Sequence, residues 1–130
     1  MNPEPTWIPE DALLAIHEEL LEMFGGSSGI RDVGLLDSAM NRPRQLFAYE
    51  TPDLVALAAS LACGIVKNHP FIDGNKRTGF MAAYTFLEAN GLSFNAPEEE
   101  VVERTLALAA GAIEEKEYGE WLHRSCTSGD

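Results

Sequence analysis

The sequence predicts an all-α fold, read as one domain over residues 1–130 with about six helices and a short hairpin-like flap. Three observations predict it. Apolar residues recur three and four positions apart. Strict apolar–polar alternation, the mark of a half-buried strand, is nearly absent. Gly25-Gly26, Pro43, Pro70, Asn90-Gly91 and Pro97 cut the chain into segments of helical length. With 130 residues, 45% of them hydrophobic, the chain can bury a single core. Repeats, low-complexity segments and linkers are not evident.

The first helix is expected from Pro9 to Phe24. Proline suits the first helical position, Glu10 and Asp11 favour the positive end, and Leu13, Ile16, Leu20 and Met23 or Phe24 form the apolar stripe. The glycines from Gly25 to Gly29 stop it, and a short hairpin could form between Gly25 and Ile30. A second helix follows Asp32 as N-cap, carries Leu35, Leu36, Ala39 and Met40, and ends near Pro43. The third takes Thr51 as N-cap with Pro52 at its first position. It runs through Leu54, Leu57, Ala58, Leu61 and Ile65 to about Asn68, before Pro70. The fourth begins near Asn75 and continues through Phe80, Ala83, Tyr84 and Leu87 to Asn90-Gly91. The fifth opens at Asn95-Ala96-Pro97 with three glutamates in its first turn, and carries Val101, Val102, Leu106 and Ala109. The last holds Tyr118, Trp121 and Leu122.

The chain carries 21 acids against nine Lys and Arg, a formal net charge of −12. Such a chain is a poor non-specific binder of nucleic acid or anionic lipid, so neither is expected as a partner. The charge is uneven. Residues 1–24 hold six acids and no Lys or Arg, and residues 88–120 hold nine acids and two bases. Between them, residues 25–87 hold five acids and six bases, and are not acidic at all. Met1 to Pro5 lack the positive start and apolar stretch of a signal peptide, and no apolar run reaches membrane-spanning length. Cys63 and Cys126 form no C-x-x-C pair, and Cys63 lies in an apolar run where it reads as a small core residue. A reducing cytoplasm is the expected compartment.

The informative segment is the loop His69-Pro70-Phe71-Ile72-Asp73-Gly74-Asn75-Lys76-Arg77 between the third and fourth helices. Pro70 ends one helix, and Gly74 permits tight backbone geometry and close approach of a ligand. The amides that open the next helix lack intrahelical partners and carry the positive end of its dipole. Lys76 and Arg77 add two full charges, so this is an anion site suited to phosphate. A carboxylate beside a polyanion repels it unless a cation lies between. Asp73 therefore reads as a ligand for Mg²⁺, which takes one or two carboxylates plus phosphate oxygens. His69 offers an imidazole, the usual general base for a hydroxyl nucleophile. Each residue alone has a plainer reading: His69 as a helix-end histidine, Asp73 as an N-cap, Lys76 and Arg77 as surface charges. The combination at a helix start favours chemistry. The spacing fits neither a P-loop nor a Rossmann fingerprint.

This stretch resembles the motif of the Fic/Doc family, H-x-F-x-[D/E]-[G/A]-N-[G/K]-R. Lys76 is similar to the Doc branch, the death-on-curing toxins. Gly25 to Asp32 and Gly34 to Ala39 resemble the segment that precedes the motif there. The resemblance spans about Leu13 to Leu122 and implies the compact all-helical Fic fold. It implies that His69 deprotonates a target hydroxyl and that Asp73 binds Mg²⁺. Gly74, Asn75, Lys76 and Arg77 would hold the phosphates of ATP or another nucleoside triphosphate. Lys76 would fill the space of an α-phosphate, so that the γ-phosphoryl group is presented and transferred. Phe80 stands where adenylylating relatives commonly carry a second Arg. The resemblance also implies a Ser or Thr of a translation protein as target, with elongation factor Tu as the precedent, and restraint by a Phd-like antitoxin. Gly25 to Asp32, with Gly26, Gly29, Ile30 and Arg31, is either a flap that docks the target or an ordinary loop. The inhibitory pattern [S/T]-x-x-x-E-[G/N] is approached by Thr6 to Asp11 but fails at its last position, so no internal inhibitor is expected. Two other readings stay open: adenylyl transfer at the same site, and a non-catalytic antitoxin-binding module.

Overall fold

In the computed structural model, which describes residues 3–128, every residue from Leu57 to Val66 is buried. They belong to α3 (Leu54–Asn68), and a helix buried on all sides must be covered by its neighbours. The main coverings are α2 (Val33–Tyr49), α4 (Asn75–Ala89) and α6 (Glu115–Arg124); α5 (Glu98–Ala110) touches α3, α4 and α6, and α1 (Glu10–Phe24) lies against α4. One hydrophobic core joins them, with Trp121, Tyr118, Phe71 and Phe86 its largest fully buried side chains. Cys63 lies in that core as expected, and burial raises its thiol pKa. Met1 and Asn2 of the N-terminal segment read above lie outside the described residues.

Six helices are as the sequence predicts, and several ends differ. Pro9 caps α1 and does not open it. Pro43 does not end α2: the helix continues to Tyr49 with Pro43 buried inside it. Proline removes one i−4 bond, and here tertiary contacts outweigh that loss. Leu36 and Ala39 are buried before Pro43, and Leu46 and Phe47 pack on the core after it. Arg42 ties the middle of α2 down, donating to the Ser60 carbonyl at 2.8 Å and pairing with Glu115 at 2.9 Å. The N-cap of α3 is Asp53, not Thr51, because its carboxylate accepts from the Ala56 amide at 2.8 Å. In α5 the buried residues are Thr105 and Leu108, whereas Val102 and Leu106 are each 51% exposed.

Strands also fall elsewhere than the sequence suggests. β1 (Leu92–Phe94) pairs antiparallel with β2 (Cys126–Ser128), fastening the chain end beside α4. Gly25 to Ile30 does not fold back on itself. It contains no strand and forms one antiparallel bridge, Ile30 to Phe71 in the loop after α3. Its bonding groups face that loop: Gly29 accepts from the Ile72 amide at 3.1 Å, and Pro70 accepts from the Arg31 amide at 2.6 Å.

Candidate active site

The loop from His69 to Gly74 joins the C-terminal end of α3 to the N-terminal end of α4, so two helix termini meet there. His69 is the C-cap of α3 in the left-handed region, φ 55° and ψ 53°, with its amide donating to Ile65. It is the one non-glycine residue with positive φ among those described, and this turn sends its side chain to solvent. Arg31 holds the turn. Its Nε donates to the His69 carbonyl at 2.7 Å and its Nη2 to the Asn68 carbonyl at 2.9 Å, satisfying carbonyls that α3 leaves open.

Phe71 is fully buried and anchors the loop. Asn75 closes it over Phe71: its Oδ1 accepts from the Phe71 amide at 2.9 Å and its Nδ2 donates to the Phe71 carbonyl at 3.0 Å. Asn75 is 3% exposed, so its side chain builds the loop and only its backbone amide remains for a ligand. Gly74 caps α4 at φ 80° without a side chain, leaving the first amides of the helix uncovered. Lys76 and Arg77 are exposed there, and the Arg77 guanidinium lies 4.3 Å above the Phe24 ring.

Asp73 is exposed, with Oδ1 accepting from the Gly74 amide at 3.0 Å and Oδ2 from the Ser27 amide at 3.2 Å. Each oxygen keeps lone-pair capacity, so its hard-oxygen chemistry suits Mg²⁺. Among the described residues no group of three or more His, Cys, Asp or Glu could hold a metal by itself. A cation bound at Asp73 would complete its shell with water and phosphate oxygens.

The motif residues His69, Asp73, Lys76 and Arg77 are thus brought to one exposed turn, with Gly74 and Asn75 shaping its backbone. Of the expected flap residues, Ile30 and Gly29 pair with the loop. Gly26, at φ 124°, lies against Asp73, and the Arg31 guanidinium is occupied by α3. His17 of α1 escaped the sequence reading. It is 2% exposed, its Nε2 lies 2.8 Å from the Asp73 carbonyl, and its ring stacks on Phe71 at 3.9 Å. The signal was its place four residues after Leu13, on the buried face of α1. A groove of about 650 Å³ between α6 and the start of α3 is lined by Val55, Ala59 and His123. It lies near the opposite end of α3, roughly 20 Å along a 15-residue helix from His69.

The family model described as "Fic/DOC family" matches residues 7–87, which include α1, the flap segment and the whole loop. The chain belongs to the Fic/DOC family. Two relatives set it on the Doc branch. It is 46% identical over 77 residues to "Toxin Doc" of Mycolicibacterium smegmatis, covering 56% of this chain and 58% of that relative. It is 31% identical over 119 residues to "Protein kinase doc" of Escherichia phage P1, covering 90% of this chain and 93% of that relative.

Proposed function

We propose that this chain is a Doc-type toxin that transfers the γ-phosphoryl group of a nucleoside triphosphate to a Ser or Thr hydroxyl of a target protein. The observation that carries the reading is the turn between α3 and α4, where His69, Asp73, Lys76 and Arg77 stand exposed at a helix start that has no side-chain cap. The phage relative's description as a protein kinase supports the same reaction.

In this reading the acceptor oxygen forms a bond to the γ-phosphorus while the bond from that phosphorus to the β–γ bridging oxygen breaks. The nucleoside diphosphate leaves with the electron pair, and the hydroxyl proton passes to a ring nitrogen of His69. The α4 amides and Arg77 hold phosphate oxygens, and Lys76 balances charge on the group in flight. Asp73 holds Mg²⁺, which supplies charge neutralisation for the phosphates. The left-handed turn fixed by Arg31 keeps the His69 imidazole in the open, where a protein substrate can reach it.

The target is a protein of the translation machinery, with elongation factor Tu as the first to test. The setting is a cytoplasm in which a Phd-like antitoxin restrains the toxin. Among the described residues no helix is long and apolar enough to cross a membrane.

The test is intact mass of candidate targets after incubation with ATP, Mg²⁺ and the protein. A phosphate-sized gain that disappears with His69→Ala supports the proposal. An AMP-sized gain would replace it with adenylyl transfer on the same site. Undiminished toxicity of His69→Ala in cells would favour a binding module without chemistry.

A further inference from the structure

Asp73 is held at both ends of the residue. Its carboxylate accepts from the Ser27 amide at 3.2 Å, just after α1, and its carbonyl meets His17 Nε2 at 2.8 Å from within α1. A carbonyl only accepts, so Nε2 carries the proton and His17 donates. The His17 ring lies nearly parallel to Phe71, 11° between planes, and passes beneath Gly74: a Cβ built on Gly74 would stand 3.7 Å from Nε2. One buried side chain of α1 therefore touches two residues of the loop and leaves room for little more than a Cβ at a third. It is 2% exposed, so it acts through what it holds.

We infer that His17 is a positioning residue for the active turn. Its hydrogen bond fixes the Asp73–Gly74 peptide against α1, and so aims the Asp73 carboxylate and the first α4 amides at the same phosphate site. In this arrangement α1 sets where the carboxylate stands relative to the cradle. The inference rests on the proposed nucleotide and Mg²⁺ reading for its consequence, but its structural part stands on the hydrogen bond alone.

Two variants separate the hydrogen bond from packing. His17→Phe keeps a ring over Phe71 and removes the donor. His17→Gln drops the ring but puts an amide nitrogen near the place of Nε2. Hydrogen–deuterium exchange of the Ser27 and Gly74 amides is read without nucleotide, and affinity for a non-hydrolysable ATP analogue is read with and without Mg²⁺. The expected result is at least tenfold faster exchange and at least tenfold weaker Mg²⁺-dependent binding in His17→Phe, with His17→Gln close to the unaltered chain. Unchanged exchange in a folded His17→Phe overturns the inference. So does a His17→Gln that unfolds at the normal temperature but exchanges as fast as His17→Phe. Should His17→Phe fail to fold, His17→Gln decides by its exchange at Gly74: near-normal protection supports the inference, and lost protection overturns it. Asp73→Asn is the control on the underlying reading. If it leaves Mg²⁺-dependent binding intact, the metal assignment falls while the exchange measurement still decides whether His17 positions the loop.

Discussion

A side chain at Gly26 would stand 2.9 Å from the Asp73 Oδ2 and 3.0 Å from Leu21, at a φ of 124° that L-residues rarely adopt. Gly26→Ala is therefore expected to cost about 1–3 kcal/mol by urea unfolding, and to move the Asp73 carboxylate with it. His69→Ala should lower transfer by about 10²–10⁴-fold, read as the initial rate of mass gain, while unfolding stays near that of the unaltered chain. Tyr118 gives a third test. It is fully buried, and burial pushes its pKa up to about 12, while the 2.9 Å hydrogen bond with Thr105 pulls it back only in part. The folded state holds the phenol proton more tightly than the unfolded chain, whose value is near 10. Stability from this group is thus complete below pH 10 and is lost as pH rises toward 12. By pH 11 the loss is on the order of 1 kcal/mol. Tyr118→Phe should remove that part of the alkaline decline in denaturant titrations at pH 9 and pH 11. At this scale the exposed residues were legible because they form a motif. Asn75 reads the same in sequence whether it faces a ligand or, as here, closes the loop over Phe71. Arg31 likewise gave no hint that it caps a helix 37 residues away.

At the scale of elements, α3 is approached on two sides through glycine. A Cβ on Gly79 of α4 would stand 2.7 Å from Val66 and 3.2 Å from the Ala62 carbonyl; one on Gly64 would meet Ala39 of α2 at about 3.1 Å. Propensity alone makes Gly→Ala favourable by up to about 1 kcal/mol in a helix interior. Here contact should win. Gly79→Ala is expected to destabilise by about 1–3 kcal/mol, because backbone on α3 cannot move aside cheaply. A gain in melting temperature for this variant would refute the close α3–α4 crossing. The apolar stripes of α3 and α6 were readable from spacing, since Leu57 to Val66 and Tyr118, Trp121 and Leu122 are all buried. Pro43 was misleading, because a breaker's cost is local while the contacts of Arg42, Leu46 and Phe47 come from other helices. The pairing of β1 with β2 joins residues more than thirty apart, and three-residue strands carry too short a pattern to read.

The whole molecule carries a net charge of −12, yet Arg42–Glu115 is the single ion pair among the described residues. Screening therefore removes more repulsion than attraction, and the melting temperature should rise when NaCl is added to a low-salt buffer. A fall would mean that favourable pairs dominate. The acids lie mainly in the helices at either end of the sequence, and the motif turn lies in the central stretch that is not acidic. Phosphate would be met there by short-range geometry and not by the global field. By itself the sequence determined the all-α class, the six helices and the turn that gathers His69, Asp73, Lys76 and Arg77. Those features arise from periodicity, breakers and a contiguous motif, all of them local along the chain. Only the tertiary structure decided that α2 survives Pro43, that the flap pairs with the motif loop, and that Arg31 and His17 hold that loop from two other elements. Each of these depends on contacts between residues distant along the chain, such as Arg31 with Pro70 and His17 with Asp73, and no local pattern encodes such a meeting.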